Sequence, residues 1–285
     1  MPEHVEIFEV GPRDGLQNEK RLIPTAEKIA LIDLLSRAGF RRIEVASFVS
    51  PKWVPQMADS AQVLVGITRA PGVSYAALTP NMQGYAGAVA AGADEIAVFA
   101  SASEGFSRAN LNCSVAESIA RFEPILLAAR AIGLKVRGYV SCVTDCPFDG
   151  ATPPAAVAVL AERLITLGCY EVSLGDTLGR ATPDSLNRML SGVLDRVPAA
   201  RLAGHYHDTA GRACDNIEAS LARGLRVFDA AVGGLGGCPY APGAQGNVAT
   251  EAAKARIEAL GYVTGLDGAV IDAAAHLARA LRGME

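Results

Sequence analysis

With 285 residues, half of them hydrophobic and 20% charged, the chain has ample material for a core and lies outside the disordered and fibrous classes. Its 26 basic and 30 acidic residues leave a net charge of −4. Bulk electrostatics therefore offers no hold on nucleic acid or an anionic membrane, and an anionic ligand needs a local cluster.

No stretch reaches the roughly 18 uninterrupted apolar residues of a spanning helix, and MPEHVEIFEV lacks a basic flank followed by a long apolar run. A cytoplasmic protein is expected. The six cysteines, Cys113, Cys142, Cys146, Cys169, Cys214 and Cys238, are irregularly spaced. That fits free thiols in a reducing compartment and supplies no second close pair for a thiolate zinc site.

Short β-rich runs alternate with helical stretches, the pattern of a parallel sheet covered by helices. In chain order the expected strands are VEIFEV (5–10), RRIEVASF (41–48), VSYAALT (73–79), DEIAVFA (94–100), KVRGYVSC (135–142), EVSLGD (171–176), LAGHYHD (202–208) and VFDAAVG (227–233). Between them, Thr25 is placed to cap AEKIALIDLLSRAGF, with Gly39 ending that helix. ATPPAAVAVLAERLITLGC and ATPDSLNRMLSGVLDRV each open on Thr-Pro, a cap followed by a proline in the first turn.

Eight such units predict a (β/α)8 TIM barrel, read as one catalytic domain over residues 1–285. An open doubly wound sheet is the alternative, but no G-x-G-x-x-G follows the first strand. Residues 265–285 read as an additional C-terminal helical segment with Val270, Ala274, Leu277 and Leu281 at helical spacing. It would pack against the barrel or against a second subunit, and a homodimer is expected.

In such a barrel chemistry gathers at the C-terminal ends of the strands. VGPRDGLQNEK (10–20) places Arg13 and Asp14 just past the first strand, although Pro-x-Asp-Gly also forms turns for purely local reasons. HYHD (205–208) closes the seventh strand, and alternation sends His205 and His207 to one face and Tyr206 to the other. Paired imidazoles at that position favour a metal over core histidines.

Asp14 from across the floor and Asn247 after the loop GGLGGCPYAPGAQGN are the further ligand candidates. Nitrogen and oxygen donors with room for water suit Mg2+ or Mn2+, with Zn2+ a further option. That loop holds six glycines and two prolines across residues 233–246, a composition suited to a lid. Cys238 in its middle is either incidental or a proton-transfer group brought in on closure. Asp176 ends the sixth strand, with Ser173 three residues before it. Glu44 and Ser47 belong to the second strand, where an inward Glu44 needs a partner and Arg13 is the obvious one.

These segments, together with IEVASFVSPKWVPQMAD, SASEGFSRANLNCS, GCYEVSLGDTLG and HYHDTAGRA, resemble the 3-hydroxy-3-methylglutaryl-CoA lyase family over essentially the whole chain. The wider set comprises metal-dependent carbon–carbon lyases and condensing enzymes whose barrel opens on Arg-Asp-Gly or Arg-Glu-Gly. The resemblance implies cleavage of an acyl-CoA, 3-hydroxy-3-methylglutaryl-CoA, to acetoacetate and acetyl-CoA, a reaction of the leucine-catabolism type.

It also implies metal ligands at Asp14, His205, His207 and Asn247, an enolate-stabilising Arg13, and proton transfer by Cys238. A catalytic role is expected for Glu44, and substrate contacts for Arg13, Ser47, Ser173 and Asp176. Either His205 or Asp176 is the base. Lys20, Arg21 and Lys52 are candidates for the CoA phosphates by position alone. A lyase for a longer branched 3-hydroxy-3-acylglutaryl-CoA would keep the same residues, and a non-catalytic metal-binding barrel is the reading from another class.

Overall fold

Alternation along the strands divides this chain's side chains between two environments, an apolar shell outside the sheet and a polar interior. The computed structural model describes residues 2–238 and 241–283, without the side chains of residues 238 and 241–245. Its strands are β1 (Glu6–Glu9), β2 (Arg42–Ser47), β3 (Ser74–Leu78), β4 (Glu95–Ser101), β5 (Lys135–Ser141), β6 (Glu171–Asp176), β7 (Leu202–Tyr206) and β8 (Val227–Ala230). Each pairs in parallel with its sequence neighbours, and β8 closes on β1, so the expected eight-stranded barrel is what forms.

The expected strand ends at 208 and 233 run past the observed ones because the chain leaves the ladder there to line the mouth. His207 makes an isolated bridge to Asn247, and Ala231 one to Ala249. In β2 the register slips between Glu44 and Ala46, a bulge of the kind that re-aims a side chain beside a site.

Helices α1 (Thr25–Leu35), α2 (Ser60–Gly66), α3 (Met82–Ala90), α4 (Glu104–Leu111), α5 (Val115–Ala131), α6 (Pro154–Leu167), α7 (Pro183–Leu194), α8 (Ala213–Ala222), α9 (Thr250–Ala259) and α10 (Gly268–Leu281) surround the sheet. Leu31, Ile32, Phe122, Leu164, Leu190 and Ile217 belong to the buried apolar core they form with the strands. Among the described residues no helix is long and apolar enough to cross a membrane.

Two of the expected caps differ. Pro24 holds the cap position of α1, and the Thr25 hydroxyl donates instead to Asp59 Oδ2 at 2.7 Å, beside Lys28. Pro153 likewise displaces Thr152 at α6. Thr182 caps α7 as expected, in a reciprocal pair with Ser185. The tail is helical as expected, but its buried face runs through Ile271, Ala274, Ala275, Ala278 and Leu281, with Val270 and Leu277 only partly covered. That face packs within the chain, against α1 and the segment Val232–Gly234.

Tyr206 points outward, as alternation requires. Its hydroxyl lies 2.7 Å from Ser220 Oγ on α8. Its ring lies back over Gly204, where a Cβ would stand 2.7 Å from it, so β7 has room for Tyr206 only because residue 204 has no side chain.

Glu9, fully buried at the end of β1, fastens the top of the barrel. Its carboxylate accepts from the Gly11 and Val232 amides at 2.8 and 2.9 Å and from Thr250 Oγ1 at 2.6 Å. Burial, opposed by these three donors, raises its carboxyl to about 7. The folded protein therefore holds this proton where the unfolded chain has lost it, and the contribution to stability falls as pH rises toward 7. Glu9→Gln cannot ionise, so between pH 5 and pH 8 its unfolding free energy should gain about 2–3 kcal/mol on that of the native protein. Urea unfolding at the two pH values measures this, and an unchanged difference would contradict it.

Candidate active site

The turn Gly11–Gly15 follows β1 directly. The amides of Arg13, Asp14 and Gly15 all converge on the Val10 carbonyl, at 3.2, 2.8 and 3.2 Å. Pro12 fits the start of this turn because it has no N–H to satisfy. Gly11 is required by close approach, since a Cβ there would lie 2.5 Å from Glu9 Oε1.

The turn delivers Arg13 into a buried position between two carboxylates. Its Nε donates to Glu44 Oε2 at 2.6 Å and its Nη1 to Asp14 Oδ1 at 2.6 Å. The Arg13–Glu44 pair anticipated from sequence thus forms, and the guanidinium also lies over the Tyr139 ring, 5.6 Å from its centroid.

Asp14, His205 and His207 present ligand atoms that all lie within 4.8 Å of one another. Asn247 joins them through Nδ2, 2.8 Å from Asp14 Oδ2. These four come from three places: the first turn, the end of β7 and the exit of the glycine-rich loop.

Several features fit a cation. His205 Nε2 and His207 Nε2 face each other at 3.3 Å, and the Nδ1 of His207 is buried without a partner. Burial pushes Asp14 up, but Arg13 and the two imidazoles reverse this and hold it at about 2. Burial, with His205 beside it, pushes His207 down to about 4. At neutral pH the carboxylate is ionised and His207 is neutral, the forms in which both ligate metals. The mixed nitrogen and oxygen set, open to the mouth, suits a hard divalent ion.

Beneath the histidines lies a group that sequence reading missed. Asp229 Oδ2 is 3.1 Å from His205 Nδ1 and accepts from Ser173 Oγ at 2.7 Å. Arg137 reaches both Asp229 oxygens, at 3.0 and 2.7 Å, and also Glu171 at 2.7 Å. The Tyr139 hydroxyl accepts from Arg137 at 3.0 Å and donates to Glu44 at 3.2 Å. The signal was present: Arg137 and Tyr139 are two apart on β5, Glu171 and Ser173 two apart on β6, and Asp229 interrupts an apolar strand.

The remaining candidates are placed as follows. Asp176 is buried, and its carboxylate accepts from the Arg180 and Ala181 amides at 3.3 and 2.9 Å. Burial raises it to about 6. Ser173 is turned to Asp229, and the Ser47 backbone is tied to Ser60 Oγ on α2. Lys20 and Lys52 are exposed, whereas Arg21 is paired with Glu27.

The side chain of Cys238 lies outside the described residues. The backbone Gly237–Cys238 pairs antiparallel with Ala241–Gln245. The root of this loop is held by Arg282, which donates to the carbonyls of Gly234 and Gly236 at 3.3 and 2.9 Å and to Glu19 at 2.8 Å.

Known proteins are similar to this chain over nearly its whole length. The mitochondrial hydroxymethylglutaryl-CoA lyase of Bos taurus is 55% identical over 282 residues, 99% of this chain and 87% of its own. The 3-hydroxy-3-isohexenylglutaryl-CoA/hydroxy-methylglutaryl-CoA lyase of Pseudomonas aeruginosa is 56% identical over 274 residues, 96% of this chain and 91% of its own. The crystal structure of the HMG-CoA lyase from Brucella melitensis superposes with a TM-score of 0.98 at 62% identity, covering 99% of each chain. The model of the HMGL-like family matches residues 4–277. The barrel, the cluster at its mouth and these similarities lead to one conclusion: the chain belongs to the HMGL-like family.

Proposed function

We propose that this chain is a divalent-metal-dependent carbon–carbon lyase that cleaves 3-hydroxy-3-methylglutaryl-CoA to acetoacetate and acetyl-CoA, acting as one catalytic domain. The observation that carries the reading is the convergence of a buried, doubly paired Arg13 with the Asp14, His205 and His207 cluster in an HMGL-like barrel.

Asp14, His205, His207 and Asn247 would hold Mg2+ or Mn2+. When bound, the ion supplies a Lewis acid that acidifies the tertiary hydroxyl. Loss of the hydroxyl proton lets the oxygen form the ketone while the neighbouring carbon–carbon bond breaks. That electron pair passes to the thioester as an enolate.

Arg13, fixed by Glu44 and Asp14 before substrate arrives, donates to the enolate oxygen. One such preorganised donor contributes about 3 kcal/mol at other oxyanion sites. Both ring nitrogens of His205 face partners, Asp229 and the cluster. Asp176, raised by burial to about 6 and paired in register with Tyr206 at the end of β7, is therefore the better-matched base. Cys238, carried by the loop, protonates the carbanion to release acetyl-CoA.

The name of the Pseudomonas relative joins a longer branched acyl chain to the same chemistry, so the isohexenyl thioester is the second substrate to assay.

Metal-stripped protein should release acetoacetate from 3-hydroxy-3-methylglutaryl-CoA only when Mg2+ or Mn2+ is restored. Metal-independent release, or none with either thioester, would refute the reading. In Cys238→Ser, turnover should fall on the order of 100-fold or more, with Mn2+ binding and melting temperature preserved; near-normal turnover would remove Cys238 from the mechanism. His207→Ala should weaken Mn2+ binding by on the order of 100-fold, as read by calorimetric titration, and unchanged affinity would remove it from the ligand set.

A further inference from the structure

The buried carboxylate of Asp229 is not itself in the metal cluster, yet three donor atoms and the His205 imidazole converge on it. Oδ2 receives Ser173 Oγ at 2.7 Å and Arg137 Nη1 at 3.0 Å, and it lies 3.1 Å from His205 Nδ1. Oδ1 receives Arg137 Nη2 at 2.7 Å. Arg137 is itself held by Glu171 and by the Tyr139 hydroxyl, so its fork cannot turn away from Asp229. Asp229 is thus an ionised acceptor with a fixed orientation and 2% exposure.

We infer that Asp229 is a positioning residue that fixes His205 as the Nδ1–H tautomer and aims its Nε2 lone pair at Asp14 and His207. A neutral imidazole carries one proton, and a buried carboxylate without a proton can only accept. The proton therefore resides on Nδ1, and Nε2 is left bare. That nitrogen is the one lying 3.3 Å from His207 Nε2 and 3.8 Å from Asp14 Oδ2.

His207 has no comparable partner, since its Nδ1 is buried and unpaired. The two histidines are therefore not equivalent. The His205 ring is locked from beneath, through β8 and β5, whereas at His207 the bridge to Asn247 holds the backbone. The inference rests on the reading of the cluster as a metal centre, and it goes beyond that reading by assigning the tautomer to a residue outside the centre.

The test uses protein labelled with 15N-histidine. The chain has only four histidines, so ring cross-peaks are few, and His205 is assigned by its loss in His205→Gln. Against burial, Asp229 and Asp14 raise the pKa of His205, so the spectrum of the metal-free native protein is recorded at alkaline pH, where the ring is neutral and His205 should appear as the Nδ1–H tautomer. In Asp229→Asn that preference should be lost, and Mn2+ affinity, titrated in parallel with the melting temperature, should fall ten- to a hundredfold.

A variant that melts earlier but keeps both the tautomer and the affinity would reduce Asp229 to a structural role and overturn the inference. Should the variant fail to fold, the native spectrum decides, because an Nε2–H tautomer at His205 overturns the inference without any substitution. Failure of the native protein to bind Mn2+ would refute the metal reading instead, and the tautomer would still decide what Asp229 does.

Discussion

A chain of buried polar contacts runs across the inside of the barrel, from Arg13 through Glu44, Tyr139, Arg137 and Asp229 to His205. Such a chain is not the cheapest way to fill a barrel. Buried ion pairs carry a desolvation cost of several kcal/mol per ion, and well-packed apolar residues often serve stability equally well. What the charges provide is direction. Removing one partner leaves another buried and uncompensated, which costs roughly 3–5 kcal/mol, so each link holds the next in one orientation. Arg13 follows β1 and His205 lies on β7, two strands away in the closed sheet, and this network fixes them relative to each other without a ligand.

The apolar shell makes such an interior possible. With Leu, Ile, Val and Phe packed between sheet and helices, the inner face of the sheet is released from core formation and can carry Arg137, Glu171, Ser173 and Asp229. Phe8 mediates between the two regimes. It is fully buried, and the guanidinium groups of Arg137 and Arg42 lie 4.3 and 4.8 Å from its ring centroid. Cation–π contact at such a desolvated site is worth up to about 2 kcal/mol, which offsets part of the cost of burying those cations.

Sequence carried the architecture because eight strand–helix alternations leave few ways to close a parallel sheet. It carried His205 and His207 because a period of two puts them on one face, and the Arg13–Glu44 pair because an inward carboxylate needs a cation. Asp229 and Arg137 were as inward by the same rule, but period two names a face and not a partner. Their contact depends on the stagger that brings β5, β6 and β8 together inside the barrel. The caps failed for a local reason of the opposite kind: at Thr25 and Thr152 a neighbouring proline took the position, and at Thr25 a long-range acceptor, Asp59, claimed the hydroxyl. Asp176 was rightly placed at a strand end, but the amides of Arg180 and Ala181, which orient it, belong to a turn whose path no pattern revealed.

Arg282, one residue beyond α10, binds the carbonyls of Gly234 and Gly236 and the carboxylate of Glu19. The last helix is therefore more than a buttress on the outside of the barrel; it is the hawser by which the cysteine-bearing loop is moored. A proteolytic nick just before Arg282 would leave all eight strands, the metal-site residues and the buried polar chain in place. The loop beside the mouth would nonetheless have lost the two hydrogen bonds that Arg282 gives its root. Damage at the outer end of the molecule would then reach its centre through two backbone carbonyls.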